Sequence, residues 1–140
     1  MEQMIKVIAH LLFMKQFLHN AHHVVGRVPL FADHDALSGF YTEIDSQYDS
    51  LSERFVGIFN PEALSLSVLM SLATEKSKSV QPARENKDFF TQALMFEKEL
   101  CSQLDAIIKT LNPSEGTKQL LGDICDKSEA RQYKIKMRIR

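Results

Sequence analysis

At 140 residues the chain has the length of one domain, and a domain of this size buries roughly two-thirds of its unfolded surface, so a core can form without metal or disulfide support. Hydrophobic residues at 44% and charged residues at 25% are ordinary for a soluble globular protein and give no sign of a disordered or low-complexity chain. With 17 basic against 18 acidic residues the formal net charge is −1, which removes any global electrostatic reason to bind nucleic acid or an anionic membrane.

The apolar runs fall far short of the 18 or more residues that a membrane span needs. The opening segment is interrupted by His10, Lys15 and Gln16 and lacks a small-residue cleavage site, so it reads as an amphipathic helix rather than a signal peptide. A cytoplasmic protein is expected. Cys101 and Cys125 lie in helix-like stretches without CxxC spacing and read as two buried free thiols.

Gly and Pro are scarce and fall where breaks are needed, at Gly26 and Pro29, Pro61, Pro82, Pro113 and Gly116. Between them the apolar residues follow helical spacing. The first predicted helix covers Glu2 to Val25, with Met4, Ile8, Leu11, Met14, Leu18, His22 and Val25 as its stripe. The second covers Asp35 to Phe59 on Leu37, Tyr41, Ile44, Tyr48, Leu51, Phe55 and Ile58, the seam of an antiparallel bundle helix. Asn60, Pro61 and Glu62 form a helix-start signature, so a short extra helix is expected from Pro61 to Ala73, followed by a solvated loop from Thr74 to Asn86. A third long helix is expected from Lys87 to Leu111 on Phe90, Leu94, Glu97, Cys101, Leu104, Ile108 and Leu111. The fourth starts near Thr117, its candidate N-cap, and runs towards the C-terminus on a weaker stripe of Leu121, Ile124, Ser128, Arg131 and Ile135. Only YKIKMRIR at the end alternates like a strand. The expected architecture is all-α: one domain over residues 1–140, with four long helices and one long crossover between the second and third.

Histidines 10, 19, 22, 23 and 34 all fall in the first 34 residues. Asp45, Asp49 and Glu53 recur every four residues and form one column on the second helix. Like charges stacked in this way repel, and a bound divalent cation would reverse that cost; mixed imidazole and carboxylate ligands suit Fe(II), and also Zn, Mn or Co. Taken singly, each feature also has a plainer reading. The column can be a solvated face, His22 a hydrogen-bonded core residue, and Glu97 an interhelix salt-bridge partner.

The spacing joins them. From Ala21 to Phe55 the segment AHHVVGRVPLFADHDALSGFYTEIDSQYDSLSERF resembles the site segment of the Dps-type mini-ferritins, of the ferritin-like superfamily. In that family a His on the first helix is followed after eleven residues by a second His, after fourteen more by an Asp, and after three more by a Glu. His22, His34, Asp49 and Glu53 match all four positions, Gly26 lies in the turn, and Arg54 completes a D-x-x-x-E-R ending. The likeness extends more weakly to the short middle helix and to LLGDICDKSEARQ. Two positions depart. Ser38 stands where the family usually has a further Asp, and His23 stands where it commonly has Trp; Asp35 or His23 could substitute for the missing ligand.

The resemblance implies a ferritin-like four-helix bundle and a homo-oligomer, a hollow dodecamer. The two His would come from one subunit and the Asp and Glu from its two-fold neighbour. It implies ferroxidase chemistry: non-haem iron, as Fe(II), is oxidised by peroxide or oxygen, and the ferric product is stored. The alternative is a ferritin-like structural or interaction module with a degenerate site, supported by Ser38 and by the single acidic residue, Glu115, between Asn112 and Thr117. A third arrangement is a centre inside each bundle from His19 or His22, Glu53, Glu97 and Glu129. DNA binding, common in the family, is not expected. The basic residues Lys134, Lys136, Arg138 and Arg140 suit the C-terminal end of a helix, with a phosphate-binding tail as the alternative.

Overall fold

A computed structural model describes all of residues 1–140. Every regular element is helical: α1 (Glu2–Val24), α2 (Leu30–Ile58), a 3-10 turn (Pro61–Ala63), α3 (Leu66–Ser77), α4 (Asn86–Thr110) and α5 (Glu115–Ile139). The strand-like C-terminal alternation is helical, because its apolar residue Ile135 continues the stripe that faces the core.

Contacts fix the topology. Lys15 meets Asp45 and His22 meets His34, so α1 and α2 are antiparallel. Phe13 and Phe17 meet Phe96, and Phe17 meets Phe89, so α1 and α4 are antiparallel. Glu97 meets Arg131, and Asp33 meets Arg138, so α5 runs antiparallel to both α4 and α2. Hence α2 and α4 point the same way, and the link between them must traverse the length of the bundle. That link carries the 3-10 turn and α3, which packs on α1.

One apolar cluster joins all five helices. Its centre is α1, buried on more than one face because α2, α3 and α4 all lie against it. This explains why Val7, Leu12, Phe13 and Phe17 are buried beside the expected stripe. Of the α2 stripe, Leu37, Ile44, Leu51 and Phe55 are buried, and in α5 Leu121, Ile124, Ser128, Arg131 and Ile135 all are.

Several boundaries differ from the sequence reading. α2 begins at Leu30, five residues before Asp35. The added turn leaves Phe31 82% exposed and buries Asp33, so apolar periodicity could not report it. Asp33 favours the helix N-terminus through its charge, and it accepts two hydrogen bonds from Arg138, at 2.8 and 2.9 Å, and one from Asn86 at 3.1 Å. Asn86 in turn accepts from the Gly26 amide. One polar group thus ties the α1–α2 turn, α2, α4 and α5 at the histidine end of the bundle. The crossover helix starts at Leu66 rather than Pro61, the intervening Pro61–Ala63 being a 3-10 turn capped by Asn60. α5 is capped by Ser114, whose hydroxyl accepts from the Thr117 amide, and not by Thr117.

Candidate metal centre

The last turns of α1 and the first turns of α2 gather four of the five histidines. The His22 and His34 rings stack at 3.6 Å between centroids, and His19 stacks on Tyr41 at 4.2 Å. Each ring of the pair donates from Nδ1 to the other residue's backbone carbonyl, at 3.0 Å both ways. A carbonyl only accepts, so Nδ1 carries the proton in both rings. In the neutral form each ring is then the tautomer whose Nε2 bears the free lone pair, the form that binds a metal. His23 is exposed beside them, with its ring 5.5 Å from that of His22. Asp35 is exposed and Ser38 half-buried on α2.

His10 is separate. It is buried against Phe13 and Phe96 and donates from Nε2 to the Phe96 carbonyl at 2.9 Å. Burial holds its pKa below the usual 6.5, against the opposing hydrogen bond. It is a neutral core residue.

The carboxylate column lies further along α2. Asp45 is paired with Lys15 at 2.9 Å. Asp49 and Glu53 are exposed and make no ion pair. Fifteen residues separate His34 from Asp49 on one unbroken helix, about 22 Å at 1.5 Å per residue. The structure therefore brings His22 and His34 together as one half and Asp49 and Glu53 together as another, and a single chain cannot close the two halves on one ion.

A centre inside the bundle does not form either. Glu97, fully buried, accepts from Arg131 Nε and Nη2 at 2.6 and 3.0 Å and from the Ser128 hydroxyl at 2.5 Å. It is the salt-bridge partner that the sequence left open. Burial alone would weaken the Arg131 cation, but the hydrogen bonds and charges of Glu97 and Glu43 outweigh it, and Arg131 holds its proton more tightly than usual. One place in the chain does collect three metal-capable side chains: Cys101 and Cys125, both free and half-buried, with Glu129.

No protein-family model matches the chain, and no curated protein matches it.

Proposed function

We propose that this chain is a subunit of a Dps-type mini-ferritin that oxidises Fe(II) at sites shared between two-fold partners and sequesters the ferric product in a closed shell, a dodecamer. The observation that carries the reading is the division of the ligand set. Two imidazoles of fixed tautomer sit at one end of α2 and two unpaired carboxylates lie about 22 Å away, at the spacing of the family's site segment. A set so divided is useful only if a second copy supplies the other half. Two antiparallel helix pairs joined by a single long crossover, with a short helix within it, support the reading, since a ferritin-like bundle calls for such a connection. Both halves are flanked by exposed apolar residues, Val28 at 94% and Phe31 at 82% beside the histidines and Ile58 and Phe59 after Glu53, which suit burial against another copy.

Fe(II) is the substrate. His22 and His34 hold it through neutral Nε2, while Asp49 and Glu53 of the neighbour add negative charge that favours Fe(III). Two Fe(II) give one electron each to hydrogen peroxide, which takes up two protons and leaves as two waters. With Ser38 lacking a carboxylate, the chain contributes four protein ligands and leaves positions open to oxidant.

The alternative, a structural module of the same fold, draws on Ser38 and on Glu115, which is paired with Lys118 at 3.2 Å and so adds little charge to any ion pore. Mixing separates the two. A His22→Ala/His34→Ala chain and an Asp49→Asn/Glu53→Gln chain are each expected to be inactive in peroxide-driven Fe(II) oxidation. Refolded together in equal amounts, half of the pairs are mixed and each mixed pair holds one intact site, so about a quarter of the parent rate returns. No return of activity, or a parent that is monomeric at micromolar concentration by native mass measurement, refutes the shared site. A parent with no activity at all leaves the structural module.

A further inference from the structure

The Cys101 thiol of α4 donates to the Cys125 carbonyl of α5 at 3.7 Å, and the Cys125 thiol lies 4.0 Å from a carboxylate oxygen of Glu129, one helical turn on. We propose that Cys101, Cys125 and Glu129 form a second cation site, built within one chain and selective for a thiophilic divalent ion such as Zn(II). The two sulfurs and a carboxylate oxygen all lie within 4.8 Å of one another. Donors around a tetrahedral Zn(II) with bonds of about 2.3 Å are roughly 3.8 Å apart, so closing on the ion needs side-chain shifts of about 1 Å at most. Three protein ligands leave the fourth position to water, and exposed Glu129 gives the ion its way in.

The surroundings are prepared for it. The nearly buried Gln132 amide donates to the Cys101 sulfur at 3.5 Å and to the Ser128 hydroxyl at 3.3 Å. It therefore supports negative charge on that sulfur and ties it to the Glu97–Arg131 network. The carboxylates of Glu129 and Asp105 lie close enough to Cys125 for their negative charge to bear on its sulfur. The same acidic surroundings favour a dication, whose binding displaces the thiol protons into solvent. Sulfur donors distinguish this site from the imidazole and carboxylate halves on α1 and α2, which carry none.

Cadmium alone is the probe, because its thiolate charge-transfer absorbance in the ultraviolet reports sulfur ligation and is silent about histidine. Titration of the full-length protein with Cd(II) is expected to develop that band to one equivalent per chain, with proton release and protection of both thiols from a thiol reagent, and prior saturation with Zn(II) is expected to shift the Cd(II) titration to higher concentration. Cys125→Ser abolishes the band. Glu129→Gln, an exposed change that does not threaten the fold, keeps the band but weakens the affinity. Gln132→Leu weakens it by roughly 10- to 100-fold, as loss of an outer-shell partner does elsewhere. His34→Ala leaves it unchanged. A saturating titration without a thiolate band, a band that survives Cys125→Ser, or an affinity indifferent to Glu129→Gln overturns the proposal.

Discussion

Removing the positive member of the buried Glu97–Arg131 pair should damage this fold more than removing the negative one. Glu97 is 0% exposed and Arg131 2%. In Arg131→Met, Glu97 keeps only the Ser128 hydroxyl as a side-chain partner and its charge stays in the core. Breaking a buried pair in this way costs about 3–5 kcal/mol. In Glu97→Gln the guanidinium still has Glu43, which is partly solvated, and Gln47, so the loss is nearer that of one charged hydrogen bond, about 2 kcal/mol. For a chain of this length each kcal/mol moves the melting temperature by about 3 °C, so Arg131→Met should melt roughly 10–15 °C below the parent and Glu97→Gln roughly 6 °C below. Replacing both, as Glu97→Leu with Arg131→Met, removes both buried charges and returns Glu43 to solvent. That variant should lie within about 1–2 kcal/mol of the parent. Circular dichroism melts at one fixed protein concentration test this, since assembly makes the midpoint concentration-dependent. Equal losses in the two single variants, or a double variant that loses their sum, would refute the reasoning.

The buried His10 gives a pH dependence with a definite sign. Its folded pKa lies below 6.5, so the unfolded chain binds more protons below that pH, and its contribution is fully present above about 6.5 and lost as pH falls towards the folded value. The melting temperature should therefore drop more steeply between pH 6.5 and the acid limb in the parent than in His10→Leu, and parallel curves would exclude burial of the neutral ring as the cause. Duplex DNA should not be bound at physiological salt. Arg138 is engaged by Asp33, which leaves Lys134, Lys136 and Arg140 and a limiting log–log salt slope near −2.7 per chain rather than −3.6. A gel shift at ~150 mM salt that is lost on Lys134→Glu/Lys136→Glu would contradict this; truncation would not serve, because it also removes the clamp on Asp33.

The long helices were legible because each buries a continuous apolar stripe, and the crossover helix because Asn60–Pro61–Glu62 marks its approach. What was hidden is polar. The first turn of α2 exposes Leu30 and Phe31 and buries Asp33, the reverse of what apolar periodicity looks for. Glu97 and Arg131 each looked like a flaw in its own stripe. Only when α4 and α5 are paired do two flaws become one ion pair. The cysteines illustrate the same point: Cys101 and Cys125 lie equally far from Pro113, so a hairpin turning there sets them opposite one another, although their separation along the chain matches no metal motif. For His22, His34, Asp49 and Glu53 the spacing carries the expectation of a shared site, and the structure adds that His22 and His34 meet while Asp49 and Glu53 lie about 22 Å along α2.

That gap also says where the proposed partner must sit. In a two-fold pair, residue i of one copy meets residue j of the other and j meets i. If His34 is to reach Asp49 and Glu53 of its neighbour, two α2 helices must cross antiparallel with the axis near the midpoint of those positions, at about residue 42. The surface there suits such a crossing. Thr42 is exposed and uncharged, Gly39 adds no side chain, and Asp45, which the crossing sets opposite position 39 of the other copy, is neutralised by Lys15 at 2.9 Å. Ser38, the position without a carboxylate, lies one turn from Thr42 on the same face, so its small side chain lets the helices approach. Thr42→Arg would set two like charges against each other at the axis while leaving the chain's own core untouched. It should therefore give a folded, helical monomer or a much weakened pair, and Fe(II) oxidation should be lost with the assembly even though all four ligands are intact. A Thr42→Arg protein that remains fully assembled would rule out this crossing, and with it the route by which His34 meets Asp49.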